Sequence, residues 1–457
     1  MSELPNGWAE ATLRHLGLYI NGRGFKKSEW AESGRPIIRI QNLTGSGSSF
    51  NYFPGQLEDR YIVPTGSLLV SWAATLGVYR WHGPEGALNQ HIFKVESFVN
   101  QEFHRYLLEH AMDLMRGNTH GSGMVHITRS RFDETPVAVP PLAEQERIVT
   151  AIEEAFSKLD AGEAGLRTVR QLLKRMRDSV LAAAVSGRLV PQDPTDTPAA
   201  KLLADLGVEA AEPDGVPDLP SSWTWAELGV IAEVVGGVTK DSKRQSDASF
   251  VEVPYLRVAN VQRGFLDLET ITTIRVAPEK AAQLELQPGD VLFNEGGDRD
   301  KLGRGWVWEG QIASCIHQNH VFRARLSVGD EPKLVSIWGN TFGRGWFETR
   351  GKQTTNLASL NLKTLKAFPV PIAPVEEQPR ILAEIERQFS FIEACERSID
   401  AGLAKSAALR RSILKAAFEG KLVPQDPSDE PASVLLDRIR EERAAAPKAA
   451  RRSRRTA

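Results

Sequence analysis

Two stretches of this chain carry apolar residues at a period of seven. In the first, Ile152, Leu159, Leu166, Leu173 and Val180 recur at every seventh position, with Ile148, Ala155, Gly162, Val169, Met176 and Ala183 interleaved. Glu153, Glu154, Lys158, Arg167, Arg170 and Arg175 flank them, as charges flank the a/d seam of a coiled coil. The second stretch has Ile385, Ile392, Ile399, Ser406 and Ile413. Its companion row is weaker: Ile381, Gln388, Cys395, Gly402, Leu409 and Ala416. Gly187 and Gly420 stand where a helix C-cap belongs, and Pro191 and Pro424 block continuation. The pattern predicts two helices of about 45 residues, roughly 65 Å each at 1.5 Å per residue. The mean helix has only about 11–12 residues, so such lengths favour pairing of the two with each other over an amphipathic helix packed on its own globular domain. Gly162, Gly165 and Gly402 are candidate kinks.

Elsewhere the pattern is short and β-like. RPIIRIQNL (35–43), GSLLVSW (66–72) and HIFKV (91–95) are apolar runs bounded by turn residues. VPYLRVANV (253–261), GDVLF (289–293) and HVFRARL (320–326) repeat that texture. NQEFHRYLLEHAMDLMR (100–116) reads as a helix, and AAEPDGVPDLP (210–220) as a linker.

The likeness between the halves is a duplication. GRLVPQDPTDTPA (187–199) and GKLVPQDPSDEPA (420–432) lie 233 residues apart, and LAEQERI (142–148) matches VEEQPRI (375–381) at the same offset. Upstream the offset drifts: LPNGW (4–8) matches LPSSW (219–223), and Arg39 to Asn42 matches Arg257 to Asn260. His91-Ile-Phe93 matches His320-Val-Phe322. Each half is a variable domain followed by a nearly fixed helical segment. A period this long means domain duplication and not a solenoid. The division this predicts is 1–140, a variable α+β domain; 141–209, helix with LVPQDP; 210–220, linker; 221–373, a second α+β domain; 374–443, the second helical segment; and 444–457, a basic disordered tail.

Composition narrows the function. With 56 Lys and Arg against 58 Asp and Glu, the chain lacks the excess of positive charge that marks a free-standing DNA binder. Residues 1–140 hold thirteen of each sign, which predicts weak nucleic-acid binding by the isolated chain. Two cysteines, Cys315 and Cys395, without CxxC spacing argue against a disulfide framework and a cysteine zinc site, and fit a reducing cytoplasm. No stretch of eighteen apolar residues occurs, so no transmembrane span is expected.

Catalytic patterns are missing. GRGWFETRGKQTT (343–355) departs from the phosphate-loop spacing. GGDRDKLGRG (296–305) reads as a polar loop, since no second carboxylate cluster accompanies it. His317 and His320 read as structural histidines, and VPPL (139–142) is not an adenine-methyltransferase loop.

Two variable domains, each followed by PLAEQERI (141–148) or PVEEQPRI (374–381), a long helix and G(R/K)LVPQDP, resemble the specificity subunit of Type I restriction-modification systems. LPNGW, LPSSW, GDVLFNEGGDRDKLGRG (289–305) and HQNHVF (317–322) fit the same pattern. The resemblance covers essentially the whole chain. It implies two α+β target-recognition domains separated by two long antiparallel coiled-coil helices with a pseudo-two-fold. Each domain would read half of a bipartite double-stranded DNA target. The helices would dock two methyltransferase subunits, with restriction/translocase subunits where present. It implies no catalytic site and no cofactor on this chain: S-adenosylmethionine, ATP and Mg would bind the partners.

Groups common to both halves cannot tell two half-sites apart. Arg39 and Arg257, Asn42 and Asn260, and His91 and His320 are therefore expected to be scaffold or phosphate-positioning groups. Base readers are expected among polar loop residues that differ. The candidates are Arg23, Lys26, Lys27, Ser46 and Arg80, then Lys240, Lys243, Arg244, Arg299, Arg304 and Lys352. A solvated surface charge is the plain alternative for each. The competing readings of the whole are a non-catalytic coiled-coil adaptor presenting two protein-binding domains, and a fused nuclease or methyltransferase, which the missing motifs disfavour.

Overall fold

The computed structural model describes residues 4–47, 49–73, 75–117, 128–241, 245–246, 248–297, 301–327, 331–353 and 358–445. The chain forms two compact units, Met1–Arg167 with Asp400–Ala457, and Thr168–Ile399. This grouping differs from the sequential division, because each long helix contributes to both units.

In the first unit, a four-stranded antiparallel sheet runs in the order Gly17–Asn21, Ile92–Ser97, Leu68–Ser71, Gly77–Arg80. A smaller sheet holds Tyr52–Phe53, Arg35–Ile38, Gly86–Leu88 and Ile62–Val63. Within it Ile37 and Ile38 run parallel to Ala87 and Leu88. The helix Gln101–Gly117 is apolar on two sides. Leu108, Ala111 and Met112 pack on the sheet side with Val70 and Phe93. Phe103, Tyr106 and Leu107 face Ile148, Ile152 and Phe418.

The second unit repeats this plan. Its main sheet runs Ala232–Gly236, Val321–Leu326, Val291–Asn294, Gly305–Val307. Tyr255 and Leu256 run parallel to Ile316 and His317, as their counterparts do in the first unit. The segment 210–220 leads into an isolated bridge between Ala211 and Trp225. That end of the expected linker is therefore tied to a strand of the second unit.

The long helices are Leu142–Ala184, 43 residues, and Gln378–Phe418, 41 residues. Gly187 and Gly420 take positive φ, +65° and +67°. Arg188 N–H then donates to Ala183 O at 2.9 Å and Lys421 N–H to Ala416 O at 2.8 Å, the closing bond of a Schellman cap. Helical structure is unbroken through Gly162, Gly165 and Gly402. At Gly402 the missing side chain serves contact: a Cβ there would lie 3.0 Å from Leu166 Cδ1.

Within each unit, a part of one long helix packs antiparallel on a part of the other. In the first, Leu166 approaches Gly402 while Glu163 meets Ser406 and Arg410. In the second, Arg177 meets Glu396. In the first seven-residue row Ile152, Leu173 and Val180 are buried and Leu159 and Leu166 half-buried; in the second Ile385, Ile392 and Ile399 are buried. The companion row departs from the expected seam, with Val169 43% and Leu409 42% exposed. Side chains one position beyond that row close the packing instead. Phe156, Glu163 and Arg410 do so in the first unit, and Arg177, Phe389 and Glu396 in the second.

Each unit is closed by the LVPQDP segment of the other repeat. In the first, Trp8 Nε1 donates to Glu144 at 3.1 Å, Gln425 Nε2 to the other Glu144 oxygen at 3.3 Å, and Arg147 to Asp429 at 2.7 Å. In the second, Trp223 Nε1 donates to Glu377 at 2.9 Å, Gln192 Nε2 to its other oxygen at 2.7 Å, and Arg380 pairs with Asp196. Burial raises both glutamate pKa values, and these donors oppose the rise. A helix of about 42 residues advances the chain by roughly 60 Å.

Among the described residues, no helix is long and apolar enough to cross a membrane.

Candidate nucleic-acid interface

Backbone pairing gathers the variable loops at one end of each unit. In the first, Gly22 N–H donates to Ile92 O and Arg23 N–H to Leu88 O, both at 3.1 Å, and Trp72 N–H reaches His91 O at 3.3 Å. In the second, Val238 N–H donates to His317 O and Asn319 N–H to Val238 O, both at 2.9 Å; Glu295 N–H reaches His320 O at 2.9 Å. The approach requires glycine: a Cβ on Gly22 would lie 2.1 Å from Asn89 O, and one on Gly237 2.0 Å from His317 O.

Asn42 and Asn260 clip the loops beside these ends. The Arg257 amide donates to Asn260 Oδ1 at 2.9 Å, and Asn260 Nδ2 donates to the Asp267 and Thr270 carbonyls at 2.9 and 3.0 Å. Asn42 accepts from the Arg39 amide at 3.1 Å and donates to the Gly47 and Ser49 carbonyls. This pair holds backbone in both units, which is scaffold work.

Arg23 pairs with Glu29 and lies over the rings of Phe25 and Phe53, at 4.3 and 4.8 Å. Its charge is thereby offset and its position fixed. Arg39 stands 5.5 Å over Trp30. The buried Nε atoms of Arg39 and of its counterpart Arg257 have no partner among the described residues. Lys26, Lys27, Ser46 and Lys240 are exposed; the Ser46 hydroxyl meets Thr44 at 2.9 Å. Arg304 donates to Val258 O at 3.1 Å and so belongs to the second cluster.

Arg80 does not join its cluster. It pairs with Leu68 at the end of its strand away from Ser71 and Trp72, and its guanidinium meets Glu102 at 2.8 Å. Adjacent sequence numbers hid the reversal of direction between strands. Lys243, Arg244 and Arg299, the side chain of Lys352, and the tail 446–457 lie outside the described residues.

The two histidines of HQNH have separate environments. His317 is buried, its Nδ1 lies 2.6 Å from Val321 O, and burial lowers its pKa to about 4. His320 is exposed and its Nδ1 meets Glu295 at 2.6 Å. Among the described residues, no three His, Cys, Asp or Glu side chains gather as metal ligands.

Sequence reasoning passed over the polar residues beside the shared histidines, Asn89, Gln90, Gln318 and Asn319. An amide in a loop has no periodicity to betray it; the signal available was its place next to the one histidine common to both loops.

Two equivalent loop clusters, bearing different side chains on one repeated holder, are the layout of a duplicated recognition protein. Residues 5–167 match the family described as Type I restriction modification DNA specificity domain. The chain is 27% identical to the Type I restriction enzyme EcoBI specificity subunit of Escherichia coli, over 97% of this chain and 94% of that one. It is 24% identical to the EcoKI specificity subunit of Escherichia coli (strain K12), over 97% of each. A chain from a solved structure concerning complex assembly and conformational transition of the type I R-M system shares the fold. Its TM-score is 0.54 at 18% identity, covering 92% of this chain and 100% of that one. Residues 5–167 carry the specificity domain, and over nearly its whole length the chain is similar to Type I restriction-modification specificity subunits.

Proposed function

We propose that this chain reads a bipartite double-stranded DNA target, one half-site per unit, and docks two methyltransferase subunits. Restriction subunits join where the system has them. The chain supplies recognition and spacing and no catalytic group; S-adenosylmethionine, ATP and Mg are bound by the partners, and the complex works in the cytoplasm. The observation that carries this reading is the pair of units with one strand order in the main sheet and one Trp–Glu–Gln clasp but different loop side chains. A common scaffold with divergent loops suits two targets of related geometry and different sequence. Near-equal numbers of positive and negative charges leave the chain with little phosphate affinity alone, so partners complete the grip on DNA.

The test is to exchange residues 1–140 for another such domain and map methylation in a host that also expresses the methyltransferase partner. One half of the methylated motif should change while the other stays. A change in both halves together would refute independent readers.

A further inference from the structure

The same small arrangement recurs at the loop end of both units. The sequences are Asn89-Gln90-His91 and Gln318-Asn319-His320. Gln90 Nε2 lies 3.2 Å from His91 Nε2, and Asn319 Nδ2 lies 3.3 Å from His320 Nε2. Both imidazoles are exposed.

What supports the imidazole differs. Trp72 meets the His91 ring edge-on, with centroids 5.5 Å apart. In the second unit Glu295 lies 2.6 Å from His320 Nδ1. Trp72 and Glu295 are counterparts: each follows a central strand and donates its N–H to the carbonyl of the histidine it supports, at 3.3 and 2.9 Å.

The carboxylate settles the tautomer in the second unit. Glu295 accepts, so Nδ1 carries the proton and Nε2 of the neutral ring carries a lone pair. Asn319 Nδ2 therefore donates one of its two N–H groups to Nε2. One N–H and Oδ1 are left over, a donor beside an acceptor. That pair complements N7 and the N6 amino group of adenine in the major groove.

We propose that Gln90 and Asn319 are specificity-determining residues, each reading one base edge, adenine by preference, in the half-site of its own unit. His91 with Trp72, and His320 with Glu295, are positioning residues that orient the amide. The proposal rests on the reading of the two units as DNA readers. The shared histidine is compatible with two different targets because the amide and its reach differ, Gln in one unit and Asn in the other.

The test uses the assembled complex with its methyltransferase subunits, in competition binding against duplexes substituted at each base pair of both half-sites. Asn319→Ala should reduce discrimination at one base pair of one half-site by about 10- to 100-fold and leave the other half-site untouched. Gln90→Ala should do the same in the opposite half-site, so each variant is the other's control. Glu295→Ala should weaken discrimination at the Asn319 position. Glu295→Gln, which keeps an oxygen to accept from Nδ1, should restore it, whereas a merely structural role predicts no such rescue. Unchanged preference at every position in both alanine variants would overturn the proposal. So would a uniform loss across both half-sites, which would mark the loop as structural. A wild-type complex without any bipartite preference would overturn both the proposal and the reading beneath it.

Discussion

Arg410 Nη2 donates to Glu163 Oε1 at 3.2 Å, joining one long helix to the other within the first unit. The same relationship is present in the second unit, where Arg177 faces Glu396 at 3.7 Å. Both members are displaced by the repeat of 233 residues and exchanged between helices. Ser406 adds a hydroxyl to Glu163 at 2.7 Å, and that bond is the leading cause of the lowered Glu163 pKa. The counterpart of Ser406 is Leu173, which brings no hydroxyl. A double-mutant cycle on Arg410 and Glu163 should therefore give a larger coupling than one on Arg177 and Glu396. Equal couplings, measured by denaturant unfolding, would show that geometry at these positions does not govern the pairing.

The clasp residues predict a stability cost with a specific cause. Glu377→Ala leaves the buried Trp223 indole N–H without its acceptor and removes one of the two acceptors of the Gln192 amide. The loss should be about 1–3 kcal/mol, seen as a lower denaturant midpoint. Glu144→Ala should cost a similar amount through Trp8 and Gln425.

Those two carboxyls also predict a pH dependence. Burial raises the pKa of Glu144 and Glu377 above the ordinary 4.5. Between 4.5 and the raised value the folded chain holds more protons than the unfolded chain, so stability falls as pH rises through that window and then levels. In Glu377→Gln this contribution is absent. The stability difference between wild type and variant should therefore change across that window and be constant above it; a constant difference throughout would show that Glu377 titrates normally.

The cap glycines are held by space as well as by dihedral. A Cβ on Gly420 would lie 2.4 Å from Pro5 Cγ, and one on Gly187 2.4 Å from Pro220 Cγ, both at positive φ. Gly420→Ala and Gly187→Ala should each destabilise by more than the roughly 1 kcal/mol of the backbone strain alone. A thermal melt measures it. A smaller loss would mean that the proline moves aside freely.

Scaffold and reader should separate by the breadth of the defect. Asn260→Ala removes three hydrogen bonds from one buried side chain. Hydrogen exchange should quicken over residues 257–270, and discrimination should fall across the whole half-site. Loss confined to one base pair would instead make Asn260 a reader.

Much of the frame was legible because it rests on periodicity and chemistry local in sequence. The seven-residue rows located both helices, and Gly187 and Gly420 marked their ends. The exchange of clasps was illegible for a simple reason: Gln192 and Gln425 sit in nearly identical stretches, and either would satisfy either glutamate. The role of Phe156 and Phe389 in closing the helix packing was hidden, since the rows were assigned by spacing and not by the rotation that packing selects. Among site residues, the comparison of halves marked Asn42 and Asn260 as shared groups, and the structure gives them scaffold work. Arg80 met the criterion of a polar loop residue that differs between the halves, but an intramolecular carboxylate occupies it.

The mutual clasp reverses the order of completion during synthesis. The second unit is continuous in the chain and has all its residues once position 399 has left the ribosome. The first unit, although translated first, lacks Gln425, Asp429 and the helix that carries Arg410 until the last stretch emerges. Its Glu144 and Arg147 must wait for partners 281 and 282 residues away, a costly loop to close. The module made early is thus the one finished late, and a chain stalled past residue 399 would carry one closed module and one open.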